Sequence, residues 1–233
     1  MENWKASVRR AWVGSVFRLG GGLRVARKLG PRPALPLELY EFEACPFCRK
    51  VRETLSFLDL EAVIYPCPKN GTRFRPKAVE LGGKAQFPFL VDPNTGTQLY
   101  ESDAINRYLA TTYGAGSRPL MASLGPLTMV SSGLASAVRK GRGAQVRPSK
   151  APAKRLELWS FEASPYCAVA RERLCELELP YLLHNVAKKS PSRAAFTARS
   201  GKMQVPWLSD PNTGTELFES EAIVDYLDQT YGA

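Results

Sequence analysis

Histidine is almost absent from this chain of 233 residues, which contains only His184. A histidine-rich metal site is therefore excluded, and a Cys/His or Ser/His catalytic pair would have to use this one residue. The chain has five cysteines, an odd number that does not suit the paired disulfide framework of a small secreted domain. The cysteines favour a reducing compartment in which thiols react or lie buried.

Acidic residues are missing from one long stretch. Residues 114–155 carry eight basic and no acidic side chains, and residues 1–36 carry eight basic and one acidic side chain. The net charge of +10 therefore belongs to these two segments and not to the rest of the chain. Basic arms of this kind favour an anionic membrane surface or an acidic protein partner, and no nucleic-acid partner is expected. A pair of solvated linkers is an equally good interpretation.

The remainder of the chain is an internal repeat. Residues 37–114 begin with LELYEFEACPFC, residues 156–233 begin with LELWSFEASPYC, and both contain DPNTGT. The offset is 119 residues at the start and 118 from Pro88 and Pro206 onward. Such self-similarity predicts two copies of one independently folding unit, preceded by a basic arm (1–36) and joined by a basic linker (115–155).

Each copy shows the same order of patterns. An apolar strand leads into a helix with proline in its first turn, and a second strand and a short helix follow. DPNTGT then predicts a hairpin, and Ser102 or Ser220 is the predicted N-cap of the last helix. The order βαβαββα makes the first two strands parallel, because a crossover helix joins them. The fold class is α/β, with a mixed four-stranded sheet flanked by helices in each copy.

A pair of cysteines, Cys45 and Cys48, lies between the first strand and the first helix of copy one. This spacing in a strand–turn–helix setting indicates a redox dithiol. Cys45 is expected at the helix N-terminus, where the thiolate is stabilised, with Cys48 as the resolving thiol. Arg49 and Lys50 are expected to add positive potential. A pair of buried structural thiols is the alternative.

The second copy has Ser164 in place of the first cysteine, and this hydroxyl cannot form a disulfide with Cys167. A decayed copy that is retained for packing is one interpretation. Cys67 and Cys175 are interpreted as packing residues. His184 lies in a predicted strand and is interpreted as structural.

The strand order, CPFC after the first strand, Phe-Pro or Val-Pro before the third strand, and Glu-Ser before the last helix resemble the N-terminal domain of glutathione S-transferases. That domain is a glutaredoxin-like member of the thioredoxin fold, so the resemblance implies two tandem thioredoxin-like domains. The tandem arrangement with basic flanks is similar to plant and algal plastid thioredoxin-family proteins. This implies a chloroplast location, in the stroma or associated with thylakoids. Residues 115–155 are too short for the long helical domain that follows in the transferases.

The resemblance also implies roles for matched residues. Two prolines match the family's cis-proline, which directs the backbone of the preceding residue at the cysteinyl part of glutathione. Two Glu-Ser pairs match the pair that holds the γ-glutamyl end, although simple helix capping would explain them equally well. Ser164, with Cys167, is a second site in which the hydroxyl would donate to the glutathione thiolate. The implied glutathione-binding residues are Phe87, Pro88, Glu101, Ser102, Val205, Pro206, Glu219 and Ser220.

Three functions remain open at this point. The first is a glutathione-dependent thiol–disulfide oxidoreductase that acts on protein thiols and disulfides, with Cys45 as nucleophile and a degenerate second domain. The second is a non-catalytic glutathione-binding or scaffold protein at a membrane or protein partner, and the third is transferase-like activity. Glutathione is the expected cofactor, and a 2Fe–2S cluster, which some CPFC glutaredoxins hold between two subunits, stays open. A zinc site is disfavoured because the cysteines do not form two CxxC pairs.

The flanking segments have helical patterns. Trp4, Val8, Trp12, Val16 and Leu19 recur at near-helical spacing among basic residues, which predicts a basic amphipathic helix. It would lie on an anionic membrane or dock on one of the domains, and it also resembles a transit-peptide remnant. Residues 119–138 lack charge over the length of a membrane span, but serines, glycines and a proline favour a helix packed between the domains. Residues 141–155 are expected to form a flexible basic linker.

Overall fold

The computed structural model describes residues 4–17, 20–117, 119 and 141–233. Helix α1 (Trp4–Phe17) precedes the first repeat. The first repeat contains β1 (Leu37–Glu41), α2 (Pro46–Phe57), β2 (Ala62–Pro66), α3 (Arg75–Gly82), β3 (Phe89–Asp92), β4 (Thr97–Tyr100) and α4 (Ser102–Thr112). The second contains β5 (Leu156–Ser160), α5 (Pro165–Glu176), β6 (Tyr181–Asn185), α6 (Ser192–Ser200), β7 (Trp207–Asp210), β8 (Thr215–Phe218) and α7 (Ser220–Tyr231). Both repeats therefore have the predicted βαβαββα order.

Within each repeat the strands pair as the sequence predicts. Strands β1 and β2 are parallel, and β3 pairs antiparallel with both β1 and β4. The second repeat has the same pairing for β5, β6, β7 and β8. The parallel pair follows from the crossover helix, and the antiparallel pair follows from the short DPNTGT turn.

The two four-stranded sheets join into one sheet of eight strands, a pairing that the sequence did not predict. The strand order is β4-β3-β1-β2-β6-β5-β7-β8, and β2 pairs antiparallel with β6. Val63 lies opposite Leu182, which is its own counterpart in the other repeat, so the seam has local two-fold symmetry. A strand edge that each repeat would otherwise expose is covered by its copy.

One apolar core runs beneath both repeats. It contains Leu55 and Ile64 from the first repeat together with Leu174 and Leu183 from the second. Helices α2, α4, α5 and α7 contribute side chains to this face of the sheet, while α3 and α6 cover separate aromatic clusters on the other face. The helices that follow the CPFC and SPYC motifs therefore lie on the same face.

The identical DPNTGT segments have a shared structural reason. The side chain of Asp92 accepts hydrogen bonds from the Tyr108 and Tyr113 hydroxyls, both at 2.6 Å, and from Asn94. Asp210 makes the matching bonds with two tyrosines of α7 and with Asn212. These bonds tie each hairpin to the last helix of its repeat, and they hold the pKa of Asp92 below its usual value against the effect of burial.

Residues 20–36 and 141–155 do not form free arms, which corrects the expectation of a flexible linker. In the first segment, Val25 N–H donates to Lys188 O at 3.0 Å, in the second repeat. In the second, Val146 N–H donates to Lys69 O at 3.1 Å, in the first repeat. Each segment thus adds a short bridge to the repeat that it does not directly precede.

Helix α1 docks on α5 of the second repeat, which is one of the two placements that its sequence allowed. The Trp4 and Tyr166 rings lie 6.1 Å apart between centroids. Residues 120–138, which carry nearly all of the uncharged stretch considered for a membrane span or an interdomain helix, lie outside the described residues. Among the residues that are described, no helix has the length and apolar character needed to cross a membrane.

Candidate functional site

The first motif turn places Cys45 at the start of α2. Cys45 has extended backbone geometry and is the N-cap, and its sulfur accepts a hydrogen bond from Cys48 N–H at 3.2 Å. The Cys45 N–H in turn donates to Phe42 O at 3.0 Å, which closes the turn after β1. An N–H group at a helix N-terminus favours the anionic form of a sulfur that accepts from it.

The two thiols of CPFC are driven in opposite directions. The pKa of Cys45 lies below its usual value, chiefly because the Cys48 side chain donates a hydrogen bond to it, against the opposing effect of burial. Burial raises the pKa of Cys48 well above its usual value, and the bond to Cys45 raises it further. Cys45 is therefore suited to attack, and Cys48 is suited to hold its proton.

Arg49 and Lys50 do not stand free beside Cys45, contrary to the expectation. Arg49 is buried and its guanidinium pairs with Glu53 at 3.3 Å, while Lys50 pairs with Asp103. The charge of Glu41 also acts on Cys45, and it raises the pKa of that thiol. The thiolate is thus supported by the geometry of the turn more than by nearby cations.

The second motif turn has the same backbone geometry without the first thiol. Ser164 is the N-cap of α5 and accepts from Cys167 N–H at 3.3 Å. Cys167 is fully buried, and burial raises its pKa. A hydroxyl therefore occupies the position of the Cys45 sulfur, and Cys167 has no thiol partner across the turn.

Both predicted cis-prolines are confirmed. The Phe87–Pro88 and Val205–Pro206 bonds are cis, and each proline is buried just before the third strand of its repeat. The Phe87 ring lies beneath the Arg75 guanidinium, 4.8 Å from its centroid. Val205 lines a cavity together with Ser164, so the second repeat brings its cis-proline and its motif turn to one site.

The Glu-Ser pairs lie where the resemblance implies, but the predicted serine caps are wrong. Glu101 and Glu219 precede the last helices with φ values of 65° and 69°, and Ser102 and Ser220 are the first helical residues. Glutamates rarely occupy this left-handed region, and such residues cluster at functional sites. Both glutamate side chains are exposed, and the Ser220 hydroxyl is buried with no hydrogen-bond partner in the part of the chain described.

Two glutamines belong to these sites, although sequence reasoning missed them. The Gln86 side-chain amide donates to Glu101, and the Gln204 amide donates to Glu219. Their sequence signal was available, because each glutamine lies two residues before the cis-proline in both copies. The bond orients the exposed carboxylate beside the N-terminus of the last helix.

Helix α1 adds a wall to the second site. A cavity of about 470 Å³ lies beside Ser164 and is lined by Trp12, Leu23, Phe161 and Tyr166, with Lys188 as a cationic member. The cavity therefore has mainly apolar walls, with the Ser164 hydroxyl at its edge. This wall comes from the N-terminal arm, outside the repeats.

The remaining candidate residues have structural surroundings. Cys67 and Cys175 are buried, and burial raises the pKa of both thiols. His184 stacks on Trp159, with centroids 4.1 Å apart, and hydrogen-bonds Glu61 across the seam and Glu157 in its own repeat. Within the described ranges, no group of three or more His, Cys, Asp or Glu side chains has the arrangement to hold a metal ion.

Two of three comparisons with known proteins found a match. The family model described as the N-terminal domain of glutathione S-transferase matches residues 39–118 and 158–233. A glutathione transferase of Bombyx mori has a solved structure that shares 30% identity over 36% of this chain and 38% of that chain, with a TM-score of 0.32. The chain thus spans well under half the length of that transferase. The search of curated proteins found no match to the present chain.

Proposed function

The chain belongs to the family of the glutathione S-transferase N-terminal domain, which it contains twice, and we propose that its first repeat is a glutathione-dependent thiol–disulfide oxidoreductase. The observation that carries the proposal is the division of labour at the CPFC turn. Cys45 accepts from an N–H at the helix N-terminus and has a lowered pKa, whereas Cys48 beneath it is buried and has a raised pKa. A nucleophile and a proton-bearing resolving thiol are what disulfide exchange requires.

The proposed disulfide exchange has two steps, attack by Cys45 and resolution of the resulting mixed disulfide. The Cys45 thiolate attacks the glutathionyl sulfur of a mixed disulfide, a Cys45–glutathione disulfide forms, and the substrate leaves as a thiolate that takes up a proton. Cys48 then loses its proton and attacks the Cys45 sulfur, which gives the Cys45–Cys48 disulfide and releases glutathione. Alternatively, a second glutathione attacks the bound glutathionyl sulfur, which regenerates Cys45 and yields glutathione disulfide.

The raised pKa of Cys48 does not prevent this second step. Its causes include the hydrogen bond to Cys45 and the charge of Cys45. Both vanish once Cys45 is part of a mixed disulfide, so Cys48 ionises more readily at the moment when it is needed. Cys45 is only 3% exposed, and we therefore expect small or protruding disulfides to be the substrates.

Glutathione fits the residues around each turn. The exposed Glu101 and Glu219 carboxylates would form ion pairs with the ammonium group of glutathione. The N–H groups at the N-termini of α4 and α7 would donate hydrogen bonds to its α-carboxylate. The unpartnered Ser220 hydroxyl supports a ligand at the second repeat, because a buried hydroxyl without a hydrogen bond costs free energy.

The test is reduction of a small glutathione mixed disulfide by reduced glutathione. Cys45→Ser is expected to lower the rate to that of the reaction without protein. Cys48→Ser is expected to retain activity when glutathione resolves the intermediate. Cys167→Ser, the matched change in the second repeat, should leave the rate unchanged. Full activity of the Cys45→Ser variant would refute the proposal.

A second candidate function concerns the other repeat, and the cavity beside Ser164 is the observation that favours it. A hydroxyl in place of the thiol, next to mainly apolar walls, suits binding of glutathione with an apolar group attached to or approaching its sulfur. We therefore propose a transferase-like or conjugate-binding role for the second repeat. Conjugation of glutathione to an apolar electrophile should be lost in Ser164→Ala and retained in Cys45→Ser, and the reverse pattern would contradict it.

A further inference from the structure

Each motif turn carries a buried glutamate. Glu43 lies two residues before Cys45, and Glu162 lies two residues before Ser164. Their exposed fractions are 1% and 4%. A buried carboxylate requires ionic and hydrogen-bonding partners, and these partners decide where the turn is held.

Each glutamate pairs with the arginines of both repeats, Arg52 and Arg171, and the arginine that bonds both of its carboxylate oxygens comes from the other repeat. Arg171 of α5 donates to the two carboxylate oxygens of Glu43, with Nε to Oε2 at 3.2 Å and Nη2 to Oε1 at 3.3 Å. Arg52 of α2 makes the corresponding bonds to Glu162, with Nε to Oε2 at 3.0 Å and Nη2 to Oε1 at 3.4 Å. The same atoms form both pairs, so the two turns are held by a reciprocal exchange of arginines.

The backbone of each turn is also held from the other half. Glu43 N–H donates to the Cys175 sulfur at 3.4 Å, and Ala44 N–H donates to Gly143 O at 3.4 Å. In the second repeat, Glu162 N–H donates to Ser56 Oγ at 3.3 Å. Ser56 and Cys175 occupy matched positions in α2 and α5.

We propose that Arg171 and Cys175, which belong to the second repeat, are positioning residues for Cys45 in the first. They hold Glu43 by its side chain and its backbone, and Glu43 sets the path of the turn that delivers Cys45 to the Cys48 N–H. The proposal rests on the thiol chemistry proposed for Cys45. It means that the repeat without a dithiol is required by the repeat that has one.

Arg171 can affect Cys45 because the residue that it holds, Glu43, is close to Cys45 in the chain. Cys45 is two residues from Glu43, and its hydrogen bond from Cys48 weakens steeply as its length or angle departs from the favourable range. A bidentate arginine holds a carboxylate in one orientation, whereas a lysine supplies only a point charge. Charged groups from every neighbouring element enter this cluster: Glu41, Glu43, Arg49, Arg52, Glu53, Arg142, Glu162, Arg171 and Glu172.

The test measures the rate of Cys45 alkylation against pH in the full-length protein, with the modified residue identified by mass spectrometry. Arg171→Lys keeps the charge and removes the fork. We expect it to slow alkylation about tenfold at a pH below the thiol pKa, which corresponds to a rise of about one pKa unit. Arg173→Lys is the control, because Arg173 lies on the same helix and pairs with Glu176 and Asp228 of its own repeat. Its profile should match the wild type.

If Arg171→Lys does not fold, two variants of Cys175 test whether the second repeat positions Cys45. Cys175→Ala removes the acceptor of the Glu43 N–H and should shift the profile in the same direction, by about threefold in rate. Cys175→Ser, which installs the hydroxyl that the first repeat has at Ser56, should restore it. A folded Arg171→Lys or Cys175→Ala protein with the wild-type profile would overturn the proposal.

This experiment separates the inference from the function on which it rests. A wild-type Cys45 that titrates like a free thiol would remove both. A wild-type Cys45 with a lowered pKa that none of these variants moves would leave the oxidoreductase in place and remove the positioning role.

Discussion

The two repeats present the same backbone at their motif turns and different side chains upon it. Cys45 and Ser164 are both N-caps that accept from the residue three positions later, and both repeats have a cis-proline and a glutamate at positive φ. The repeats differ at the N-cap, a thiol in Cys45 and a hydroxyl in Ser164, and also behind the turn, where Glu41 of the first repeat corresponds to Ser160 of the second. The comparison separates the features that both repeats share, which are the turn geometry and the implied glutathione-binding positions, from the dithiol, which the first repeat alone has.

The seam offers the largest test of that separation. Tyr181 lies in β6 opposite Ile64 and corresponds to Ala62 in the first repeat. It is 1% exposed, so Tyr181→Ala should lower the free energy of unfolding by about 3–5 kcal/mol, as expected for loss of a large buried aromatic ring. Denaturant unfolding monitored by fluorescence and far-UV circular dichroism provides the measurement.

Because the core and the sheet are shared, both signals should shift together in one transition. Two separated transitions, only one of which moves, would show that the repeats are independent units after all. Val79→Ala, a change at a half-exposed side chain of α3, is the control and should cost less than about 1 kcal/mol.

The second test converts the second motif into the first. Ser164→Cys in the Cys45→Ser background places a thiol at the N-cap of α5, where the Cys167 N–H already points at the side chain. We expect the introduced thiol to be alkylated within about tenfold of the rate of Cys45 at neutral pH, because the turn supplies the same stabilisation. Peptide mapping after a brief alkylation pulse checks this. If the introduced thiol reacts only at alkaline pH, the second turn differs from the first in more than the replacement of sulfur by oxygen at its N-cap.

The third test asks how many glutathione sites are present. Calorimetry of glutathione binding by the wild type, Glu101→Ala and Glu219→Ala should show partial loss with each variant, with an affinity about tenfold lower at the altered site. Such a loss corresponds to about 1.4 kcal/mol, a typical value for a bond to a charged group. Loss confined to Glu101→Ala would make the second repeat a structural module. Gln86→Ala and Gln204→Ala, which only release the glutamates, should have smaller effects of the same pattern.

The smallest effect concerns the extra acid of the first repeat. Burial raises the pKa of Glu41 to about 7, and Glu41 in turn raises the pKa of Cys45. Glu41→Ser, which copies Ser160, should therefore speed Cys45 alkylation about threefold near neutral pH, equivalent to half a pKa unit. Ser160 accepts a hydrogen bond from Arg171 at 3.1 Å, and the new hydroxyl can do the same for Arg52.

The same variant has a predictable effect on stability. An acid whose pKa is raised on folding contributes stability that is present below its unfolded pKa and is lost as pH rises through its folded pKa. In the wild type this loss falls between pH 4.5 and about 7, and it should be absent from Glu41→Ser. An unchanged stability profile over that window would mean that Glu41 stays ionised within its cluster.

Much of each repeat could be predicted from its sequence because the signals are local. Proline in the first turn, alternation in the strands and the DPNTGT turn each act over a few residues, and they identify the elements and the position of Cys45. The cis-prolines followed from the resemblance. The serine caps were predicted wrongly because nothing in the sequence reveals that Glu101 takes a positive φ.

The joining of the repeats could not be predicted, because it depends on contacts that are distant in the chain. The β2 and β6 segments have the composition of ordinary strands, and nothing in it says which edge will pair. The bridges of residues 20–36 and 141–155 use backbone atoms, on which composition has little bearing. The reciprocal arginines did leave a trace, since Glu43, Arg52, Glu162 and Arg171 occupy matched positions in the two copies.

The pairing of β2 with β6 and the hydrogen bond from Val25 to Lys188 cannot form until the second repeat has been synthesised. Strand β2 leaves the ribosome 119 residues ahead of β6, its partner strand, and Val25 leaves it 163 residues ahead of Lys188. At typical rates of translation that delay lasts roughly ten seconds. During that interval the edge of β2 is unpaired in the nascent chain, and a neighbouring nascent chain on the same messenger RNA has an identical unpaired edge. Neighbouring chains can therefore pair through this edge before the second half of either has been made.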